Sequence, residues 1–299
     1  MKIGYPCINR SIPCQGNKTF RLKSYSENRF IETVSNNLGC LEQILSYNRK
    51  HHILFFRISS DIIPFASHPV LAVDWVKYFK TELERIGQFI KENDMRISMH
   101  PDQFIVLNSK RKEVVERSKQ ELNYHAAFLD ALGLDSTAKI QLHIGGVYED
   151  KELSINRFID QFDLLSSAVK KRLVIENDDR SYTAKDCIQI SEKIHIPVIF
   201  DVFHHQINNN HETIHDMLNK ISKTWQCSDG IPMIDYSSQE KDEKKGKHST
   251  HIDKHDFTYF LNSLESIDVD IMLEIKDKEK SALEAVSIAE KYPTFKSSS

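Results

Sequence analysis

The sequence predicts a (β/α)8 barrel, and three observations carry that prediction. Eight short β-rich or apolar runs recur along the 299 residues, and stretches of helical periodicity separate them. Successive run ends lie 25 to 53 residues apart, room for one loop, one helix and one return each time. Eight strand-helix units in a chain of this length favour a closed barrel over an open doubly wound sheet. Length alone allows two domains, but no linker rich in Pro, Gly or Ser breaks the alternation. Residues 1–299 are therefore read as a single domain.

Taken in order, the first run is Lys2 to Cys7. Residues 9–26 then lack periodicity and read as an irregular loop, before Phe30, Val34, Leu38, Leu41, Ile44 and Leu45 mark a helix. The second strand is Ile53 to Ile58, followed at helical spacing by Trp75, Phe79, Leu83, Ile86 and Ile90. The remaining runs are Arg96 to His100, Lys139 to Ile144, Leu173 to Glu176, Pro197 to Asp201, Ile231 to Tyr236 and Val269 to Ile275. A second irregular segment, residues 239–255, carries Lys241, Lys244, Lys245, Lys247 and three histidines. Both irregular segments fall after strands, on the C-terminal face of the barrel, and residues 296–299 are expected to fray.

Composition narrows the class. With 40 Lys+Arg against 43 Asp+Glu the formal charge is −3, and 40% hydrophobic with 28% charged residues excludes wholesale disorder. Near-neutrality would ordinarily argue against a nucleic-acid partner. No apolar h-region follows the N-terminus and no window approaches 18 consecutive apolar residues, which predicts a cytoplasmic chain with no membrane span. Five cysteines, Cys7, Cys14, Cys40, Cys187 and Cys227, are odd in number and form no CxxC. They are expected to be reduced, with neither a disulfide framework nor a thiolate zinc site.

The 14 histidines decide the functional reading through their positions. In such a barrel the C-terminal strand ends build the active site. Here the third strand ends near His100, the fourth near His143, the fifth near Glu176 and the sixth near Asp201, with His204 just beyond. Asp235 and Glu274 lie one residue before the ends of the seventh and eighth runs, and His248 lies in the loop between them. Folding stability does not ask for this convergence, since buried carboxylates without counterions cost several kcal/mol each. Divalent cations remove the problem. Imidazole and carboxylate without thiolate suit Zn²⁺, Mn²⁺ or Fe²⁺, and two or three metals could be held if Glu176 bridges. Such a cluster suits phosphodiester hydrolysis.

Five segments sharpen the reading: Ser98-Met99-His100-Pro101-Asp102-Gln103-Phe104, Leu142-His143-Ile144-Gly145-Gly146, Ile175-Glu176-Asn177-Asp178, Asp201-Val202-Phe203-His204-His205 and Ile234-Asp235-Tyr236-Ser237-Ser238-Gln239. With Ile3-Gly4-Tyr5-Pro6-Cys7-Ile8-Asn9 at one end and Leu273-Glu274 at the other, the chain resembles the UV damage endonuclease family, relatives of endonuclease IV-type abasic-site nucleases among the xylose isomerase-like barrels. The resemblance implies that His100, His143 and Glu176 hold one metal. Glu176, Asp201, Asp235 and Glu274 would hold a second, and His204 and His248 would belong to a third. Mn²⁺ is the favoured ion, with Zn²⁺ or Mg²⁺ as alternatives. Two departures stand out: Asp235 occupies a position where this superfamily often has His, and Met233 one where some relatives place lysine near the metals. His251 and Asp253 crowd the His248 loop, where Gly246-Lys247-His248-Ser249 fits best.

By the same resemblance the chain would incise duplex DNA immediately 5′ to cyclobutane dimers or 6-4 photoproducts by metal-activated hydroxide attack. Glu176, His100, His143, Asp201 and Glu274 would form the catalytic set. Gln103 and Phe104 match the family's inserted probing pair, and Tyr5 and Asn9 its lesion contacts. Lys110, Arg111, Lys112, Lys244, Lys245 and Lys247 are candidate phosphate contacts, with Arg180, directly after Asp178-Asp179, the foremost. The expected partner is damaged double-stranded DNA, met by a monomer needing no obligatory protein partner. Competing readings are an abasic-site endonuclease or metal-dependent sugar isomerase on the same barrel, and a non-catalytic DNA-binding barrel.

Overall fold

The computed structural model describes residues 1–296, and its eight parallel strands close into a barrel in chain order. Each strand lies inside the run expected for it: β1 Ile3–Pro6, β2 Phe55–Ile58, β3 Arg96–Met99, β4 Lys139–His143, β5 Leu173–Glu176, β6 Val198–Asp201, β7 Met233–Tyr236 and β8 Asp270–Leu273. The helices in chain order are α1 Glu27–Lys50, α2 Trp75–Tyr78, α3 Lys80–Glu92, α4 Lys112–Ala131, α5 Lys151–Asp163 and α6 Ser167–Lys170. They continue with α7 Ala184–Ile194, α8 Val202–Ile207, α9 Ile214–Ile221, α10 Lys254–Ser263 and α11 Glu279–Ala289. Among the described residues no helix is long and apolar enough to cross a membrane.

The apolar stripes do what their spacing implies. Phe30, Val34, Leu38, Leu41, Ile44 and Leu45 are buried on α1, whose N-cap Ser26 accepts a hydrogen bond from the Arg29 N–H. The stripe from Trp75 to Ile90 is split into α2 and α3 at Phe79, where the backbone leaves the helical region at φ −99°, ψ 21°. All five of its apolar residues remain buried. At Gly87 on α3 a Cβ would lie 1.7 Å from the Leu132 carbonyl oxygen, so only glycine allows that approach.

Inside the barrel, strand alternation builds successive levels. Phe55, Val174, Ile199, Met233 and Met272 form an apolar floor with Trp225, separate from the core between strands and helices. Trp225 closes the lower end, its indole N–H donating to the Val198 carbonyl at 2.7 Å. Beneath that layer Lys139 pairs with Asp229 at 2.5 Å and Arg96 with Asp270 at 3.4 Å. Two residues further along the same five strands, alternation brings Arg57, Glu176, Asp201, Asp235 and Glu274 to one level above the floor. The pairing of Asp201 with Asp235 across β6 and β7, and of His143 with Glu176 across β4 and β5, fixes that level.

The irregular loop after β1 corrects one expectation. Cys14 and Cys40 form a disulfide with Cα atoms 5.8 Å apart, so the five cysteines are not all reduced. The loop folds back against α1, bringing together two residues 26 apart in a way no local spacing announces. In the second irregular segment, Gln239 and His248 form an isolated antiparallel bridge, and α10 takes over at Lys254. Of the tail expected to fray, residues 297–299 lie outside the described residues, while the Lys296 N–H donates to the Met1 carbonyl at 3.0 Å.

Candidate metal centre

Three groups of ligand-type side chains meet above the apolar floor: His100, His143 and Glu176; Glu176, Asp201 and His204; and Asp201, Asp235 and Glu274. Within each group one ligand atom per residue lies within 4.8 Å of the others. Glu176 is shared by the first two groups and Asp201 by the last two, so neighbouring groups are joined through a carboxylate. Nε2 of His100 and of His143 lie 3.3 and 3.7 Å from Glu176 Oε2, and His204 Nδ1 lies 3.5 Å from Oε1.

Local chain geometry explains the Asp201 to His204 spacing. Asp201 is the N-cap of α8, its carboxylate accepting from the His204 backbone N–H at 2.6 Å. The first turn of α8 thus returns the imidazole over the carboxylate, with Nδ1 3.2 Å from Asp201 Oδ2. Asn177 pins this strand end from β5, donating to the Asp201 carbonyl at 2.9 Å and accepting from its N–H at 3.0 Å.

His204 therefore sits with Glu176 and Asp201. His248 lies at the rim, with Nδ1 3.0 Å from the Glu274 carbonyl oxygen and its ring 5.9 Å from that of His204. His251 is exposed and paired with Asp277 at 2.8 Å, and Asp253 caps α10. The structure thereby sets both apart from the ligand groups.

Two residues of the centre escaped the sequence reading. Arg57, buried at the end of β2, donates to both Asp235 oxygens at 2.7 and 2.8 Å and to Glu274 Oε1 at 2.5 Å. Gln141 donates to Glu176 Oε2 and Asp235 Oδ2, each at 2.5 Å, and accepts from Arg57 at 2.7 Å. Strand alternation would have found them, since Arg57 and Gln141 are inward positions. A search confined to ligand-type residues at strand ends passes over them.

Permanent positive charge is scarce at this level. Glu176, Asp201 and Asp235 are buried and Glu274 is largely so, yet the one guanidinium among them belongs to Arg57. Burial pushes Asp201 well above the usual carboxylate range, against the pull of His204. It raises Asp235 to about 7 despite Arg57. Burial also works against Glu274, but there Arg57 prevails and holds the group at about 2. For Glu176 the surrounding histidines, His143 first, outweigh burial and keep it well below its ordinary value. Among the described residues, His143 Nδ1 is buried without a hydrogen-bond partner. Nitrogen and oxygen donors without thiolate, too many carboxylates for the fixed cations, and an orphaned imidazole nitrogen together fit divalent metal ions.

The residues expected to meet DNA divide into two classes. Gln103 and Phe104 project from the loop after β3, and Phe104 is 75% exposed rather than packed under the following apolar run. That loop is anchored by Asn108, which donates to the Gly146 carbonyl at 2.8 Å and the Tyr182 hydroxyl at 3.2 Å. Arg180 is exposed, its Nε 3.4 Å from Asp179. Tyr5 and Asn9, by contrast, are buried: Tyr5 points between barrel and helices, its hydroxyl donating to Asn48 at 2.6 Å and accepting from Asn9 at 2.9 Å. The structure does not bring these two to the open mouth.

The chain is similar to known proteins over nearly its whole length. The family model described as UV-endonuclease UvdE matches residues 1–297. A UV DNA damage endonuclease of Clostridium perfringens (strain 13 / Type A) is 42% identical over 289 residues, covering 96% of this chain and 70% of that protein. The crystal structure of SacUVDE superposes with a TM-score of 0.94 at 51% identity, covering 97% of this chain and 98% of the other. Endonuclease IV from Thermus thermophilus shares the barrel fold, with a TM-score of 0.53 at 15% identity over 84% of this chain and 93% of that one.

Proposed function

The chain belongs to the UV-endonuclease UvdE family, and from that premise we propose that it is a metal-dependent endonuclease that incises damaged duplex DNA immediately 5′ to ultraviolet photoproducts. The observation that carries the reading is the run of three ligand groups joined through Glu176 and Asp201, in a barrel mouth flanked by exposed Phe104. In this reading His100, His143 and Glu176 would hold one cation, and Glu176, Asp201 and His204 would hold a second. Asp201, Asp235 and Glu274 offer a third position, with Arg57 already supplying part of its charge. When bound, the cations supply Lewis acidity for the phosphoryl oxygens and a hydrolytic nucleophile at neutral pH; Mn²⁺ is favoured, with Zn²⁺ or Mg²⁺ as alternatives.

The chain's own residues orient and exclude. Gln141 fixes the carboxylates of Glu176 and Asp235 relative to one another, and Asn177 locks the Asp201 backbone. The apolar floor of Phe55, Val174, Ile199, Met233 and Met272 keeps water out from below, which strengthens every charge interaction above it. A recessed centre cannot reach a paired, stacked nucleotide, so the lesion must leave the duplex. Gln103 and Phe104 would fill the gap, and a photoproduct, already poorly stacked, lowers the extrusion cost of a few kcal/mol. Arg180 contacts a backbone phosphate.

The test is nicking of supercoiled plasmid by protein stripped with a chelator and reloaded with Mn²⁺, Zn²⁺ or Mg²⁺. Metal-dependent nicking of irradiated plasmid, with the break mapped immediately 5′ to the photoproduct, is the expected result. Equal nicking of depurinated plasmid would move the reading to an abasic-site nuclease, and no nicking with any metal would remove it.

A further inference from the structure

The mouth of the barrel opens on one side into a cleft of about 410 Å³ between the ends of β1 and β8. Cys7, Arg57, His248, Glu274, Lys276 and Lys278 face it. Most cations near the mouth have carboxylate partners: Lys110 with Glu149 at 3.5 Å, Arg111 with Glu113 at 2.7 Å, and Lys276 with Glu240 at 3.7 Å. Lys278 differs. It is half-buried, and among the described residues its ammonium has neither an ion pair nor a hydrogen-bond partner. Burial pulls its pKa below the usual lysine value, with Cys7 and Glu274 pulling the other way.

The backbone is strained on both sides of this cleft. Lys278 itself has φ 61°, ψ −116°, a conformation that residues with a Cβ rarely adopt. Across the cleft Cys7 has φ 73°, and the Ile8 N–H donates to the Pro6 carbonyl at 2.9 Å, closing a γ-turn of the rare strained kind. The Cys7 N–H is tied to the Arg57 carbonyl at 2.8 Å, so this wall is fixed to the strand that carries the centre's guanidinium. Folding alone gives no reason to hold a lysine half-buried, unpaired and on strained backbone beside an anionic centre. An arriving anion does. The acids that face the cleft, Glu274 and Asp102, do not take that role, since Glu274 is held by Arg57 and Asp102 is exposed on the opposite rim.

We infer that this cleft is a phosphate subsite in which Lys278 receives a non-scissile phosphodiester of the DNA strand, holding the backbone beside the metal centre. The inference rests on the nuclease reading and names a contact the sequence pattern did not suggest. One phosphate contact accounts for about 0.9 in the slope of log affinity against log salt, which at 0.1 M salt is roughly an eightfold effect.

The test is steady-state incision of a duplex carrying one cyclobutane dimer by the metal-loaded enzyme across a salt series. Lys278→Met should raise KM roughly eightfold at 0.1 M salt, lower the salt slope by about 0.9 and leave kcat within about twofold, with Lys278→Arg restoring most of the loss. A second measurement removes the charge from the substrate. Neutral methylphosphonate linkages are placed one at a time along the duplex, and at one non-scissile linkage the rise in KM for the unaltered enzyme should vanish in Lys278→Gln. If KM and slope do not change in Lys278→Met, or the two neutralisations are additive at every linkage, the subsite is wrong. Should the unaltered enzyme fail to incise this duplex at all, the nuclease reading itself has failed.

Discussion

Replacing Arg57 with methionine gives the sharpest energetic test of how the carboxylate level is held together. Arg57 is buried and satisfies Asp235 through two hydrogen bonds and Glu274 through one. In metal-free protein Arg57→Met leaves both acids without their fixed cation. Removing one partner of a buried ion pair costs about 3–5 kcal/mol. The Glu274 carboxyl agrees in direction: burial works against its charge, yet Arg57 prevails and holds it at about 2, below the ordinary 4.5. Since that folded-state pKa is depressed, this stabilisation is present above about pH 4.5 and is lost as pH falls toward 2. Asp235, which burial raises to about 7 even with Arg57 present, should stay protonated through neutral pH in the variant. For 299 residues with about 2.1 cal/mol/K of unfolding entropy each, a loss of about 3–5 kcal/mol lowers Tm by roughly 5–8 °C. Scanning calorimetry in chelator measures it. With Mn²⁺ or Zn²⁺ present the loss should shrink, because added cations take over the same carboxylates. A deficit below about 1 kcal/mol in chelator, or one of equal size with metal, would refute the counterion role.

Three further outcomes follow from parts of the molecule outside that pair. Phe104→Ala should leave stability unchanged within about 0.5 kcal/mol, because the ring is exposed. It should cut the preference for irradiated over untreated duplex by about 1–3 kcal/mol, the worth of one base-aromatic stack; unchanged selectivity in competitive binding would reject the insertion role. His125 is buried, with ring nitrogens 2.7 Å from the Glu121 carbonyl and 3.0 Å from the Ser60 hydroxyl, and burial lowers its pKa from 6.5 to about 4. The unfolded chain then binds the extra proton first, so about 3 kcal/mol of stability present above pH 6.5 should be lost as pH falls toward 4. Urea titrations of His125→Gln should show that part of the pH slope removed. The Cys14–Cys40 disulfide spans 26 positions, and reducing it should cost about 3.5 kcal/mol in the chain-entropy account. Denaturation with and without reductant, against a Cys14→Ser/Cys40→Ser control that should not respond, measures this.

The strands were legible because an inward carboxylate or imidazole at the end of an apolar run is a strong local contrast: Ile199-Phe200-Asp201 and Leu142-His143 announce both strand and site. The candidate ligand residues follow from the same contrast. Their grouping did not, because the capping of α8 by Asp201, which folds His204 back over it, is a three-dimensional consequence of one turn. Arg57 and Gln141 were missed for a different reason. They are ordinary inward residues whose importance arises only when the strands close around one axis and bring Asp235 and Glu274 to them. Tyr5 faces outward from β1 among the helices, a side that the motif around it does not reveal. The pairing of Cys14 with Cys40 depends on how an aperiodic loop returns to α1, for which sequence spacing carries no rule. Lys278 was hidden because its φ of 61° is visible only in the folded backbone.

The central claim is that Glu176 is the carboxylate joining two cation positions in one hydrolytic centre. Its most direct measurement is the metal content of purified protein by elemental mass spectrometry, unaltered and as Glu176→Gln, with incision and binding of irradiated duplex assayed on the same samples. The account predicts about two or more equivalents of divalent metal for the unaltered chain. In Glu176→Gln it predicts a clear loss of metal and no detectable incision, with binding of irradiated duplex retained at least in part. Full metal content and undiminished incision in Glu176→Gln would contradict it.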